Sequence, residues 1–575
     1  MIADPSMLWL VIASGVACFF MAFVTGANDI ANTFSTSIGA KSLTIKKALL
    51  IAFFFEALGA SLLGGTVTDS IRSKIINFEA FYNAPEFLML GMFSALVGAS
   101  LWLAIATCLG LPVSTTHSIV GALLGFGLSA GHADSIKWGK IQSILISWFA
   151  APLLAGSCSA IAFSTMRSLI LRKKNSFEII KKWYWILIFL ITLPFSVFLV
   201  YQNPIVLNTK CRMKQGNNIV YESPCYLQDW SSGHVVYATL TSIILSLILT
   251  GIGSIFIYVV YNKRLKCYNF RKRLFENQDM NDIEQNVKPN TACNGNNSSL
   301  NSVASNETQI PRLRDQGNKG NNDNIMSNEQ IEVSKTELNN NGNNKSGTKN
   351  DIEQSVIETF DQDTEIVFAT LQIISAILGV IAQSANDTAN AIGPFAAVFN
   401  TYNSGIKEKI KVQWYILLFG GLSMSLGLSI LGYRVIKTVG MKLIKITPSR
   451  GFTIELISGL VVLFFSICGI PLSSTHCAVS SVIGLGLVEA RIFENDKNGN
   501  TDKDISNGQS NTNNVAVKKR PFCPFSYLNT SCVNLKLFRT IFLSWIITVS
   551  FSASVTAAIF SFAAYTPSYV IMRNP

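Results

Sequence analysis

The sequence predicts an all-α fold: a polytopic membrane protein in two repeated halves, with some membrane segments broken or re-entrant. Three observations lead there. Of the 575 residues, 49 % are hydrophobic and only 14 % charged, where a soluble chain carries about a quarter charged. Apolar runs long enough to cross the hydrocarbon layer, roughly 20 residues each, recur along most of the length. Two short polar motifs also return in the same order, at nearly the same spacing, on either side of a polar stretch. Composition alone excludes an ordinary soluble enzyme, a disordered chain and a small disulfide scaffold.

Continuous spans are expected near 7–25, 47–67, 86–110, 141–171, 183–203, 235–261, 366–383, 412–436, 453–470 and 537–565. The first has no basic residues before it and reads as a retained span, not a cleaved signal. Stretches 112–130 and 471–489 differ, opening with Pro and hydroxyl side chains and holding several glycines. Broken backbone of that kind survives at membrane depth only inside protein or beside a cavity.

Basic residues set the expected topology. Arg172, Lys173, Lys174, Lys181 and Lys182 fall between two spans, and Lys263, Arg264, Lys266, Arg271, Lys272 and Arg273 follow the next pair. Both clusters are expected on the cytoplasmic side. Residues 204–233 then face outside, where Cys211 and Cys225 are either bridged or free thiols. The first 40 residues hold no Lys or Arg and are expected outside too; Lys518, Lys519 and Arg520 put the loop before the last span inside. The net charge of +12 is therefore topological, and no nucleic acid is implied. Twenty of the 74 residues from 277 to 350 are Asn, a composition that cannot bury enough apolar surface to fold. Residues 494–514 are similar.

The motifs carry the chemistry. Gly26-Ala27-Asn28-Asp29-Ile30-Ala31-Asn32 closes one apolar run, and Ser384-Ala385-Asn386-Asp387-Thr388-Ala389-Asn390 closes another. Pro112-Val113-Ser114-Thr115-Thr116-His117 is echoed by Pro471-Leu472-Ser473-Ser474-Thr475-His476. From Asp29 to Pro112 is 83 residues, and from Asp387 to Pro471 is 84. Duplicated halves point to a transporter with its site at the repeat interface. Pro suits the first turn of a helix, and a neighbouring hydroxyl can cap its free N–H groups. Two such helix starts, one per half, would clasp an anion, above all a tetrahedral oxyanion. Alone, each motif has a plainer reading: an Asn-Asp turn, or hydroxyls bonded back to their own helix. Repetition overrides that for Asp, Asn and hydroxyl positions; His117 and His476 are expected to be structural.

At these residues the chain resembles the inorganic phosphate transporter family. Gly26 to Thr33, Asn390-Ala391-Ile392-Gly393-Pro394, both Pro-x-Ser-[Thr/Ser]-Thr-His runs and the stretch from Arg434 through Leu456 carry the likeness. It covers about 1–170 and 365–490. The resemblance implies an inverted-repeat fold of about twelve membrane segments and secondary transport of phosphate coupled to Na+ or, in many plant and bacterial relatives, to H+. It divides the chain into a first transport repeat (1–170), connecting spans with an external loop (171–261) and an Asn-rich disordered cytoplasmic linker (262–364). A second repeat (365–490), a cytoplasmic loop (491–536) and a last span with an external C-terminus (537–575) follow.

Carried over, the resemblance implies that Asp29, Asn32, Ser114, Thr115, Thr116, Asp387, Asn390, Ser473, Ser474 and Thr475 line the phosphate site. Asn28 and Asn386 become candidates for sodium, and Glu56 and Glu455 match acidic positions of animal members. A third acidic position falls near Met92, and Ser35 replaces the usual Gly. No cofactor is expected beyond the co-transported sodium ion.

Two bare aspartates would repel an anion. Bound cations, a protonated aspartate or a proton on the substrate would relieve this; cations together with dihydrogen phosphate are the favoured expectation, because a P–OH group donates to a carboxylate and sulfate at neutral pH cannot. A hydrolase using Ser114 with His117, a channel and a phosphate-sensing receptor are the competing classes. The expected partners are phosphate, sodium or alternatively protons, and the lipid bilayer. The expected location is the plasma membrane, and a homodimer is open through small residues such as Gly59, Ala60 and Gly64.

Overall fold

The computed structural model describes residues 5–278, 356–492 and 535–566, apart from breaks at 74, 132, 202–205, 208–210, 216–217, 223–224, 407–411, 433–445 and 490. Residues 279–355, the insert 494–514, Lys518, Lys519, Arg520 and the side chains of Cys211 and Cys225 lie outside that description, and with them the linker and disulfide expectations.

Helices dominate, as the apolar runs require. In the first half they are α1 (Leu8–Gly39), α2 (Ile45–Leu63), α3 (Gly65–Ser73), α4 (Pro85–Cys108), α5 (Thr115–Ser129) and α6 (Trp138–Met166). A π-turn over Arg167–Leu171 extends α6. Next come α7 (Ser176–Tyr201), α8 (Leu227–Gly233) and α9 (Val235–Gln278). The second half holds α10 (Gln362–Ser404), α11 (Trp414–Leu431), α12 (Pro448–Ile467), α13 (Ser474–Leu487) and α14 (Leu535–Tyr565). Among the described residues nine helices are long and apolar enough to cross a membrane, and the pair α2–α3, bent by 65°, makes ten. The chain is thus a multi-pass membrane protein. Residues 1–269 with 355–575 form one unit, and of the remainder, 270–354, only the end of α9 is described.

Burial separates the helices by task. In its most apolar window α10 is 72 % buried, whereas α9 is 17 % buried and presents its apolar side chains outward. α1 packs against α4, α10 and α11, and α10 packs against α2, α3 and α12. These two helices are therefore the axis of the molecule.

Four expectations change. The motif helices do not end at their motifs: α1 runs on to Gly39 and α10 to Ser404, past an internal Pro394. Polar residues stay helical there because their side chains find tertiary partners. Pro112 and Pro471 do not sit in a helix's first turn. Both lie in short extended pieces, and helix begins at Thr115 and Ser474 with Ser114 and Ser473 as N-caps. The assigned linker 262–364 is helical at both ends, through Gln278 and from Gln362, because Lys and Arg helix formers carry α9 past its apolar run and Asp361 caps the start of α10. Finally, Gly59 and Ala60 pack inside the chain, against Ile381 and Gly421, so they are not available to a dimer contact.

Small antiparallel ladders complete the chain. Val206–Leu207 pairs with Cys225–Tyr226, and Cys211–Gln215 with Asn218–Glu222. Val356–Ile357 pairs with Arg491–Ile492, joining the approach to α10 to the exit from α13.

Candidate functional site

Polar positions on α1 recur every three or four residues: Thr25, Asn28, Asp29, Asn32 and Thr36. Gln383, Asn386, Asp387 and Asn390 give α10 the same stripe. That spacing puts each set on one helix face, and every member is buried.

The asparagines that open each stripe brace backbone. Asn28 Oδ1 accepts from Val113 N at 3.0 Å while Nδ2 donates to the Leu111 carbonyl at 2.9 Å. In the other half Asn386 Nδ2 donates to the Leu472 carbonyl at 2.9 Å, and Oδ1 receives Leu472 N at 3.5 Å. Each therefore holds the extended Pro segment of its own half. The turns into those segments also match. Gly110 and Gly469 adopt φ of 68° and 62°, and Leu111 N and Ile470 N bond back to the Ala106 and Phe465 carbonyls. This left-handed helix ending strongly favours glycine.

The next residues reach across. Asn32 Nδ2 donates to Asp29 Oδ1 at 3.0 Å and to Thr475 Oγ1 at 2.9 Å. Asn390 Nδ2 donates to Thr115 Oγ1 at 3.0 Å and Thr116 Oγ1 at 3.1 Å. Thr116 donates to the Leu472 carbonyl at 2.8 Å, and Thr475 to the Val113 carbonyl at 3.1 Å. Ser474 bonds Asp387. Ser114 and Ser473 accept from His117 N and His476 N at 3.1 and 3.2 Å, capping α5 and α13. All ten residues named for the anion thus gather at one junction between the halves.

The junction is rich in acceptors. Asp29 Oδ2, Asn32 Oδ1, Asp387 Oδ2 and Asn390 Oδ1 are buried and have no hydrogen-bond partner. Asp29, Asp387 and Glu56 lie within electrostatic reach of one another. Among the described residues none of the three forms an ion pair. An unpaired buried acceptor costs about 1–3 kcal/mol, so the arrangement suits a guest that brings cations or donor hydrogens. The two helix starts beside it suit the guest's oxyanion.

The remaining acids stand differently. Glu455, on α12, accepts from Thr36 (a very short bond), Ser37 at 2.6 Å, Gln372 at 3.1 Å and Ser375 at 3.1 Å. It forms a second polar knot where α1, α10 and α12 meet. Glu56, on α2, leaves Oε2 unpartnered, while its backbone carbonyl accepts from Ser384 at 2.5 Å. Met92 is fully buried. The sequence reading missed Thr36, Ser37, Gln372 and Ser375. Gln372 and Ser375, polar and three apart in an apolar span, were the available signal.

The family model of the Phosphate transporter family matches residues 25–556. The chain is 59 % identical to a "Sodium-dependent phosphate transporter" of Plasmodium falciparum, over 99 % of each chain. To the protein of the same name in Toxoplasma gondii it is 31 % identical, over 98 % of each. To "Sodium-dependent phosphate transporter 1" of Mus musculus it is 26 % identical, over 97 % of this chain and 96 % of that one. A solved structure titled "The sodium-dependent phosphate transporter" superposes with a TM-score of 0.62 at 25 % identity, covering 96 % of this chain and 98 % of the other.

Proposed function

The chain belongs to the phosphate transporter family, and we propose that it imports inorganic phosphate, as dihydrogen phosphate, by symport with sodium ions. It is a transporter and not an enzyme; Ser114 and Ser473, the hydroxyls beside His117 and His476, cap α5 and α13.

One observation carries the reading: four buried, unpartnered acceptor oxygens, two from each half, stand beside hydroxyl-bearing helix starts. Dihydrogen phosphate presents two P–OH donors and two anionic oxygens. In this reading its two donors meet acceptors among Asp29, Asn32, Asp387 and Asn390, and its oxyanions meet the uncapped N–H groups at the starts of α5 and α13 and the hydroxyls of Thr115, Thr116, Ser474 and Thr475, of which Thr116, Thr475 and Ser474 turn to it from the Leu472 carbonyl, the Val113 carbonyl and Asp387. Sodium neutralises the aspartates. Glu56 and Glu455 are the acids we assign to it, and Asn28 and Asn386 keep one Oδ1 lone pair for it while bracing the Pro segments. Phosphate affinity then depends on cation occupancy, which couples the two fluxes. Sodium-driven import suits a membrane whose outer face is rich in sodium, and we place the chain in the plasma membrane.

Radiolabelled phosphate uptake into proteoliposomes, with Na+ and H+ gradients imposed separately, tests this. Accumulation should follow the Na+ gradient and resist competing sulfate. Asp29→Asn and Asp387→Asn should abolish it while leaving the protein in the membrane. Uptake that is unchanged in choline at neutral pH, and that follows a proton gradient, overturns the sodium assignment.

A further inference from the structure

A cavity of about 930 Å³ lies between α6 and α14, with α13 and the start of α5 as its floor. That is near the upper end of the range that holds a drug-sized ligand, about 300–1,000 Å³. Along α6 it extends from Leu145 to Thr165, about 30 Å at 1.5 Å per residue. Phe149, Leu153, Ile161, Phe542 and Ile546 line it and are also exposed on the outside of membrane-length helices. Its mouth therefore opens to lipid tails, not to water.

The floor is not apolar. Trp148 stacks on His117 with ring centroids 3.6 Å apart, Trp545 packs on His476 at 3.7 Å, and the two histidines are 4.5 Å apart. His476 is 5 % exposed. Its Nε2 and the indole N–H groups of Trp148 and Trp545 are buried without hydrogen-bond partners. All three rings line the cavity. A pure hydrocarbon tail, or an apolar face of another helix, would leave those nitrogens unpaired. Among the described residues no Asp, Glu, Lys or Arg lines the space, so a charged headgroup would find no counter-ion there.

We propose that this cavity binds a neutral membrane lipid with an oxygen-bearing head. The head enters sideways from the bilayer, and a small turn of the Trp148 and Trp545 rings brings their buried N–H groups to its oxygen, with His476 as a third partner. The apolar body lies along the trough between α6 and α14. The occupant touches the caps of α5 and α13 only through the His117 and His476 rings, so it is separate from the phosphate junction. It borders the helices whose starts form that junction, and lipid occupancy would bias their positions.

The test uses the full chain in phosphatidylcholine nanodiscs, photolabelled with diazirine analogues of a sterol and of a diacylglycerol, the labelled peptides being mapped by mass spectrometry. One analogue or both should label α6 and α14 at the cavity, and the matching unlabelled lipid should compete. Ala160→Phe, which fills the trough from α6, should abolish that labelling. Trp148→Phe and Trp545→Phe keep the ring stacks but remove one donor each, and should weaken competition about two- to tenfold, the loss of one neutral hydrogen bond. Competition by the oxygen-free hydrocarbon parent should be unchanged in those variants. Labelling spread evenly over all outward-facing helices, or indifferent to Ala160→Phe, overturns the proposal. So do cross-links joining Phe149 and Phe542 positions of two chains, which would make a second copy the occupant. The readout is lipid binding and stands whether or not phosphate uptake follows sodium.

Discussion

The Asn32 amide donates to the Thr475 hydroxyl at 2.9 Å across a sequence separation of 443 residues. Asn390 returns the contact, giving its amide hydrogens to Thr115 and Thr116. Each half thus supplies an asparagine to the helix start of the other, and neither half holds a complete junction. Movement of one half relative to the other must break or remake these bonds, which makes them a natural link between occupancy and conformation.

The first prediction follows from that exchange. Asn32→Ala and Asn390→Ala each remove a donor that spans the halves and an acceptor aimed at the guest. Losing a buried partner costs about 1–3 kcal/mol, so apparent phosphate affinity should fall about 5- to 150-fold with surface expression retained. Uptake kinetics measured against phosphate concentration check this. Equal kinetics in the two variants and the parent would remove the asparagines from the site.

Glu455 gives a second prediction. Four neutral donors converge on it, and hydrogen bonds to an ionised group are worth about 1.5–3 kcal/mol each. Glu455→Gln keeps the shape but turns one acceptor oxygen into a donor facing donors. The sodium concentration for half-maximal uptake should rise at least about tenfold, while phosphate dependence at saturating sodium changes little. An unchanged sodium curve would leave Glu455 as a structural knot.

Much of this junction was legible because it is written twice. Repetition at spacings of 83 and 84 residues made Asp29, Asn32, Asp387, Asn390 and the hydroxyls stand out, and the structure gathers them. Their local geometry was not legible. Pro112 and Pro471 read as first-turn residues, yet the Asn28 and Asn386 amides hold the segments extended, and hydrogen bonds between residues over 80 apart leave no local trace. The matched glycines at 110 and 469 did carry a signal, since both precede Pro by two positions. The Glu455 knot was hidden for a different reason: its donors come from Thr36, Ser37, Gln372 and Ser375, on two other helices, and only packing of α1, α10 and α12 brings them together.

A third prediction concerns the crossing of α1 and α11. A Cβ added at Gly427 would collide with the Phe23 carbonyl, and one at Gly26 with the Met424 carbonyl. The two backbones touch at these glycines, the close approach that small residues allow between membrane helices. Gly427→Ala should destabilise by about 1–3 kcal/mol, the usual cost of overpacking, read from thermal unfolding in detergent. Gly251→Ala, on α9 with open space around it, should be neutral or slightly stabilising. Equal melting of both variants would contradict the close crossing.

The last prediction concerns the end of α13. Arg450, 1 % exposed, grips Glu489, 3 % exposed, through Nη2 at 2.5 Å and Nε at 2.9 Å. The guanidinium also donates to the Glu358 carbonyl at 2.7 Å and to Thr447 at 2.9 Å, and lies over the Phe163 and Phe360 rings. Arg450→Met would leave the buried Glu489 carboxylate without its hydrogen-bonded counter-charge, with, among the described residues, only Arg167 and Arg172 within electrostatic reach, and breaking a buried pair in this way costs about 3–5 kcal/mol. Glu489→Leu should cost less, because Arg450 keeps two acceptors and two aromatic faces. The double variant removes both charges and should be more stable than Arg450→Met alone, since an apolar replacement of a whole buried pair is often close to neutral. A thermal double-mutant cycle decides the matter. Additive losses would mean that the two side chains contribute independently, and the pair would then not be what fastens the end of α13 to the start of α12.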